Sequence, residues 1–174
     1  MGMREGWRQD SRALTHLDDD GRARMVDVGN KPETVRFATA RAVLVMRPET
    51  LLRVRAGGVQ KGDVLAIAQV AGIMAAKRTS ELIPLCHPIA LSGVDVHFSY
   101  PDERSISIDV TVRTTARTGV EMEALTAATT AAWTVYDMCK AIDRDMSLIF
   151  AGLMEKQGGR SGHYQRAADR EEPS

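Results

Sequence analysis

The stretch from Glu121 to Ile142 limits the fold more than any other part of the chain. Leu125, Ala128, Ala132, Val135, Cys139 and Ile142 recur at spacings of three and four, which puts them on one face of a single long helix. Half of that stripe is Ala or Cys, so whatever covers it has to approach closely. A second helix fits the need. Asp63 is placed to cap it, and Leu65, Ala68, Gly72, Ala75 and Thr79 form another stripe rich in small residues. Aromatic residues make up only 5% of the chain, while Ala, Val, Met and Ile fill most apolar positions, which is the composition of closely packed helices.

The remaining segments read as strands and short connections. Thr34–Met46 is rich in β-branched residues and partly alternates, so it is expected to be a strand. Pro48 then sits where a helix starts, and Glu49–Ala56 is a short helix stopped by Gly57-Gly58. Pro84 and Pro88 bracket Leu85-Cys86-His87 and make that tripeptide a rigid loop. Val94, Val96 and Phe98, then Ile106, Ile108, Val110 and Val112, alternate with polar residues on either side of a Pro101-Asp102-Glu103 turn, the pattern of an antiparallel hairpin. A last strand is expected over Met146–Met154. This order suits an α+β, ferredoxin-like antiparallel sheet with helices packed on one face.

The chain has 174 residues, the size of one domain. A polar N-terminal arm is expected over 1–24 and a single ferredoxin-like domain over 25–164, with a mobile Gly-rich loop at 156–163 and a disordered charged tail at 165–174. Lys plus Arg and Asp plus Glu both number 23, so no global field draws the protein to nucleic acid or to an anionic membrane. No run approaches the ~18 apolar residues of a membrane span, and the polar start is unlike a signal peptide, so a cytoplasmic protein is expected. The two cysteines, Cys86 and Cys139, form no CxxC pair, and the four histidines are too scattered to build a metal site.

Several residues could carry chemistry, and each also has an ordinary explanation. Lys61 lies between glycines just before a helix start, where backbone N–H groups and the helix dipole favour an anion; a linking turn would look the same. Asp137 and Lys140 share a helix face with Trp133, and such a pair is either a proton-transfer couple or a surface salt bridge worth ~0–1 kcal/mol. Glu121 and Glu123 flank Met122 where acidic side chains already favour a helix N-terminus. His87, held between prolines, suits either a phosphate-binding imidazole or a structural one. Lys156 and Arg160 flank Gly158-Gly159 in a segment that could close over a polyanion or simply be a tail.

Taken together, Met25-Val26-Asp27-Val28, the KGD of Lys61–Asp63, AGIMAAKRTSELIPLCHP over Ala71–Pro88, TGVEMEALTA over Thr118–Ala127 and YDMCKA over Tyr136–Ala141 resemble one family. It is the molybdenum-cofactor biosynthesis protein C family of cyclic pyranopterin monophosphate synthases, and the resemblance spans about Leu14 to Tyr164. It implies a ferredoxin-like subunit in a hexamer, a trimer of dimers with active sites at the dimer interface. The implied substrate is 3′,8-cyclo-7,8-dihydro-GTP from a radical-SAM GTP 3′,8-cyclase; the products are cyclic pyranopterin monophosphate and pyrophosphate. No cofactor is fixed by the sequence, and Mg²⁺ stays an open option.

By the same resemblance Lys61, His87 and Arg36 would hold the triphosphate, and Lys156 would be the lysine of the mobile loop. Asp137 and Lys140 would do acid–base work with Lys61 beside them; Glu121, Met122 and Glu123 would contact base and sugar, with Cys86 and Lys77 near the site. A proton-active Lys140 needs a lowered pKa, for which clustering of Lys61, Lys140 and Lys156 is the expected cause. One segment departs from the family pattern: Ser147–Met154 carries a glycine where arginine is common, which puts the sheet end and the loop's anchoring in question. The alternative this leaves is a catalytically silent hexameric nucleotide-binding protein of the same fold.

Overall fold

The long strand β1 (Thr34–Val45) lies at the centre of the computed structural model, which describes residues 16–18, 20–57, 63–160 and 162–167. It is followed by α1 (Pro48–Arg55), α2 (Val64–Lys77), α3 (Thr79–Leu82), β2 (Gly93–Ser99), β3 (Ser105–Ala116), α4 (Glu121–Cys139), β4 (Ser147–Gln157) and β5 (Tyr164–Gln165). All neighbouring strands are antiparallel, in the order β2-β3-β1-β4-β5. With the helices on one face, this is the ferredoxin-like α+β arrangement that the order of elements implied.

Alternation decides which face is covered. Ala38, Ala40, Ala42 and Leu44 of β1 are fully buried, as are Ile106, Ile108, Val110 and Val112 of β3. Each large aliphatic side chain so buried contributes roughly 1.5–3 kcal/mol. The alanines of β1 leave room for α4, whose Ala124, Ala128, Ala131, Ala132 and Val135 are equally inaccessible. On α2, Asp63 accepts from the N–H groups of Leu65 and Ala66 at 3.0 and 3.1 Å, the expected cap. A Cβ at Gly72 would lie 3.1 Å from the Ala127 carbonyl oxygen and 3.4 Å from the Ala131 Cβ, so α2 meets α4 through small residues one position before Ala128 and Ala132 of the named stripe.

Two element ends differ from the sequence pattern. The apolar stripe of α4 continues to Ile142, yet the helix stops at Cys139. Buried Asp143 accepts from the Arg47 N–H at 2.8 Å, the Thr50 hydroxyl at 3.1 Å and the Asp145 N–H at 3.2 Å, which ties the chain to the start of α1. Alternation places the end of the last strand at Met154 and Lys156 in a loop; instead β4 continues to Gln157, and Lys156 pairs with Tyr164 of β5 as well as with Ala38 of β1. Pairing with a returning strand, which a polar sequence does not advertise, extends it. Gln165, assigned to the tail by composition, belongs to that strand.

A bulge between Thr39 and Ala40 also matters, because one extra residue in β4 turns every later side chain to the other face. It puts Lys156 opposite Ala38, on the side that carries the helices. The Gly152 departure finds its reason nearby. A Cβ there would lie 2.8 Å from the Phe150 ring and 3.2 Å from the Arg166 guanidinium, which stacks on Phe150 at 5.0 Å. Arg166 from the returning chain thus fills the space over the glycine, and its N–H donates to the Met154 carbonyl at 2.8 Å. The sheet end is intact.

Candidate active site

The N-terminal end of α4 opens into a cleft of about 270 Å³. One wall is the first turn of the helix, with Glu121, Met122 and Glu123 and the preceding Thr118-Gly119. The second is the proline-bracketed loop with Leu85, Cys86 and His87, and the third is the approach to β1, with Val26, Val28 and Lys31. His16 and Ile89 complete the lining. The His87 Nε2 lies 2.7 Å from the Val26 carbonyl oxygen. A carbonyl only accepts, so Nε2 is the protonated nitrogen, and loop and third wall are joined.

Glu123 is the electrostatic centre of this end. It is 4% exposed, and burial, with Glu121 nearby, pushes its pKa up from 4.5 to about 7. A carboxyl that exchanges a proton near neutrality can donate to or accept from a bound ring. Burial, and the charge of Glu123, also raise the pKa of the Cys86 thiol, so that sulfur stays protonated and is a weak donor rather than a nucleophile. Glu121 is not a helix cap: it pairs with Lys156 at 3.2 Å. Arg36 donates through Nε to the Ala116 carbonyl at 3.0 Å and through Nη2 to that of Arg117 at 3.2 Å. Its remaining edge runs under Gly159, where any Cβ would collide with it.

The other end of α4 is open. Lys140 donates to Asp137 at 2.6 Å, with both side chains more than half exposed. Trp133 stands one turn earlier, 49% exposed, edge-on to Tyr136 at 5.9 Å. The bond from Asp137 raises the Lys140 pKa, opposite to what a proton-active lysine needs. The sixteen steps from Glu121 to Asp137 span about 24 Å of helix at ~1.5 Å each. Lys156, held by Glu121, is therefore remote from Lys140, so among the described residues the clustering expected to lower the Lys140 pKa is not seen.

The profile of the MoaC family matches residues 25–159. The chain belongs to the MoaC family. It is 56% identical over 153 residues to a cyclic pyranopterin monophosphate synthase of Brevibacillus brevis, covering 88% of this chain and 96% of that one. It is 59% identical to the proteins of that name from Chloroflexus aggregans (88% of this chain, 93% of the relative) and Thermomicrobium roseum (90% and 95%).

The family motifs fall into two groups in this fold. The structure brings together Cys86, His87, Glu121, Met122 and Glu123 around the cleft, with Lys156 on Glu121 and Arg36 at the neighbouring sheet corner. Lys77, at the C-terminus of α2, is exposed and is not part of the lining. Asp137 and Lys140 stand apart. Lys61 lies outside the described residues, and Asp63, two positions on, caps the start of α2. Among the described residues no group of three or more His, Cys, Asp or Glu is arranged to hold a metal ion. The cleft-lining residues that motif chemistry did not single out are His16, Val26, Val28, Lys31, Ile89 and Thr118-Gly119. The VDV and TG pairs lay inside quoted motifs, but nothing in spacing shows that they face Glu121.

Proposed function

We propose that this chain is a cyclic pyranopterin monophosphate synthase of molybdenum-cofactor biosynthesis, converting 3′,8-cyclo-7,8-dihydro-GTP into cyclic pyranopterin monophosphate with release of pyrophosphate. The observation that carries the reading is the cleft itself: in a chain of the MoaC family, the motif residues Cys86, His87, Glu121, Met122 and Glu123 surround one opening. A carboxyl with a pKa of about 7 suits a ring whose nitrogens change protonation during rearrangement. His87 and the nearby cations Lys156 and Arg36 suit a triphosphate.

In this reading Asp137, Lys140 and Lys61 do the acid–base work at a site completed by two subunits. The separation of about 24 Å along α4 supports it, since no single chain brings both groups to one substrate. The outer face of α2 exposes Ile67, Val70 and Met74, an apolar surface suited to a second copy. We place the subunits in a homohexamer built from dimers, in the cytoplasm, with substrate supplied by a radical-SAM GTP 3′,8-cyclase. Cations of the partner subunit would then act on Lys140, opposing Asp137. Nothing in β4 favours the silent alternative: the strand is continuous, and Lys156 reaches Glu121.

The test is to mix purified protein with enzymatically prepared 3′,8-cyclo-7,8-dihydro-GTP, with and without Mg²⁺, and follow pyranopterin and pyrophosphate. Equimolar appearance of both products is expected. Binding without turnover would replace the reading with the silent one, and absence of binding would remove both.

A further inference from the structure

Asp143 is a buried carboxyl that lies outside the family motifs, three residues beyond Lys140. It is 3% exposed, and a carboxylate so placed persists only where donors surround it. Here they come from the start of another helix. The Arg47 N–H donates to Asp143 at 2.8 Å and the Thr50 hydroxyl at 3.1 Å, while the Arg47 Nε lies 3.4 Å away. The Asp145 N–H adds a fourth contact at 3.2 Å.

The two helix ends exchange caps. α1 starts at Arg47 with no side-chain cap of its own, and Asp143 takes that place at the positive end of the helix dipole. In return the Arg47 guanidinium donates to the Ile142 carbonyl, just past the end of α4. The chain between is closed as well. The Lys140 N–H donates to the Tyr136 carbonyl at 2.8 Å, and the Ile142 and Asp143 N–H groups donate to the Cys139 carbonyl at 2.9 and 3.1 Å. The Tyr136 hydroxyl reaches the Arg144 carbonyl at 3.2 Å. Lys140 therefore stands on a backbone gripped from both sides, by buried Cys139 before it and by the exchanged caps after it. Its own side chain is exposed and held by Asp137.

We infer that Asp143 is a positioning residue for Lys140: bonded to Arg47 and Thr50, it fixes the turn after Cys139 and with it the point from which the lysine reaches the substrate. This rests on the synthase reading for the role of Lys140 but not for the hold on the turn. A buried ion pair adds little net stability over apolar side chains of similar size, and what it supplies here is direction. A long, exposed lysine gains precision chiefly through the backbone that carries it. Displacing that backbone impairs the reaction step and leaves the cleft at the far end of α4 as it was, so Asp143 governs kcat rather than KM.

The experiment compares wild type, Asp143→Ala, Asp143→Asn and Thr50→Val, all as the assembled protein, by amide hydrogen exchange and by turnover. Asp143→Ala is expected to speed exchange at the Lys140 and Ile142 amides about tenfold or more, with those of Ala127 and Ala128 as in wild type. Its kcat is expected to fall about 10²-fold with KM within about twofold. Asp143→Asn keeps a carbonyl oxygen for the Arg47 N–H and the Thr50 hydroxyl and should recover most of the loss. Thr50→Val removes a single bond and should show the same changes on a smaller scale, which decides the matter if Asp143→Ala does not fold. The inference is overturned if exchange at Lys140 and Ile142 stays at the wild-type rate, if exchange rises there while kcat is unchanged, or if KM rises with kcat unchanged. Should exchange rise at that turn alone while wild type fails to turn over the cyclic nucleotide, the synthase reading falls and the hold of Asp143 on the turn stands.

Discussion

The two ends of α4 are built on opposite principles. At its N-terminus, Glu123 is 4% exposed and the surrounding side chains are tied by hydrogen bonds and an ion pair to β1, β3, β4 and the proline loop. At its C-terminus, Asp137 and Lys140 form an exposed pair beside an exposed tryptophan. The first end is preorganised by its own subunit, and its carboxyl is shifted by burial. At the second the hydrogen bond to Asp137 raises the Lys140 pKa, so on the proposed reading that pair would need another surface before it could transfer protons. The difference teaches that one chain preorganises the cleft residues but leaves the Asp137–Lys140 pair exposed.

The sharpest way to break that contrast is complementation. Lys140→Ala and His87→Ala should each lose about 10²–10⁴-fold in turnover, the range for a missing acid–base or positioning group. Mixed and allowed to exchange, they should recover about one quarter of the wild-type activity, since half of the dimers are hybrids and one site of two in each is intact. A mixture as inactive as its components, with exchange verified by mass, would mean that each chain builds its site alone.

Glu123→Gln tests the buried end. A carboxyl whose folded pKa is raised binds more protons folded than unfolded, so wild type loses stability as pH rises from 4.5 to about 7. The loss is roughly 3 kcal/mol. The glutamine variant should match wild type near pH 4 and exceed it by up to about that amount above pH 7, read from denaturant midpoints. Equal pH dependence in the two proteins would show that Glu123 is not desolvated in solution.

The smallest effect belongs to the start of α2. Asp63→Ala removes its cap and should cost ~1 kcal/mol of stability, while leaving triphosphate binding at the cleft unchanged. Weakened binding in that variant would show the start of α2 to be coupled to the cleft within a chain.

Much of this was legible beforehand where a pattern had only one physical solution. The stripes of α2 and α4 fixed the two helices, although their contact at Gly72 falls on Ala127 and Ala131 beside the named α4 stripe, and the alternation of β2 and β3 fixed the hairpin. Within the site, the proline bracket foretold a rigid mount for His87. The burial of Glu123 was not legible, because a glutamate in the first turn of a helix has a sufficient explanation in the helix dipole. Nor was the side of the sheet taken by Lys156, which depends on a bulge that no local residue type announces.

By itself the sequence determined the principal elements, their order and the family, though not α3 or β5, since periodicity, capping and motif chemistry are local and additive along the chain. Only the tertiary structure decided that α4 ends where Asp143 meets α1, that Arg166 fills the space over Gly152, and that the motif residues divide between two ends of one helix. Those outcomes depend on contacts between residues distant in sequence, and a side chain's environment, pKa and partners are set by what packs against it rather than by its neighbours along the chain.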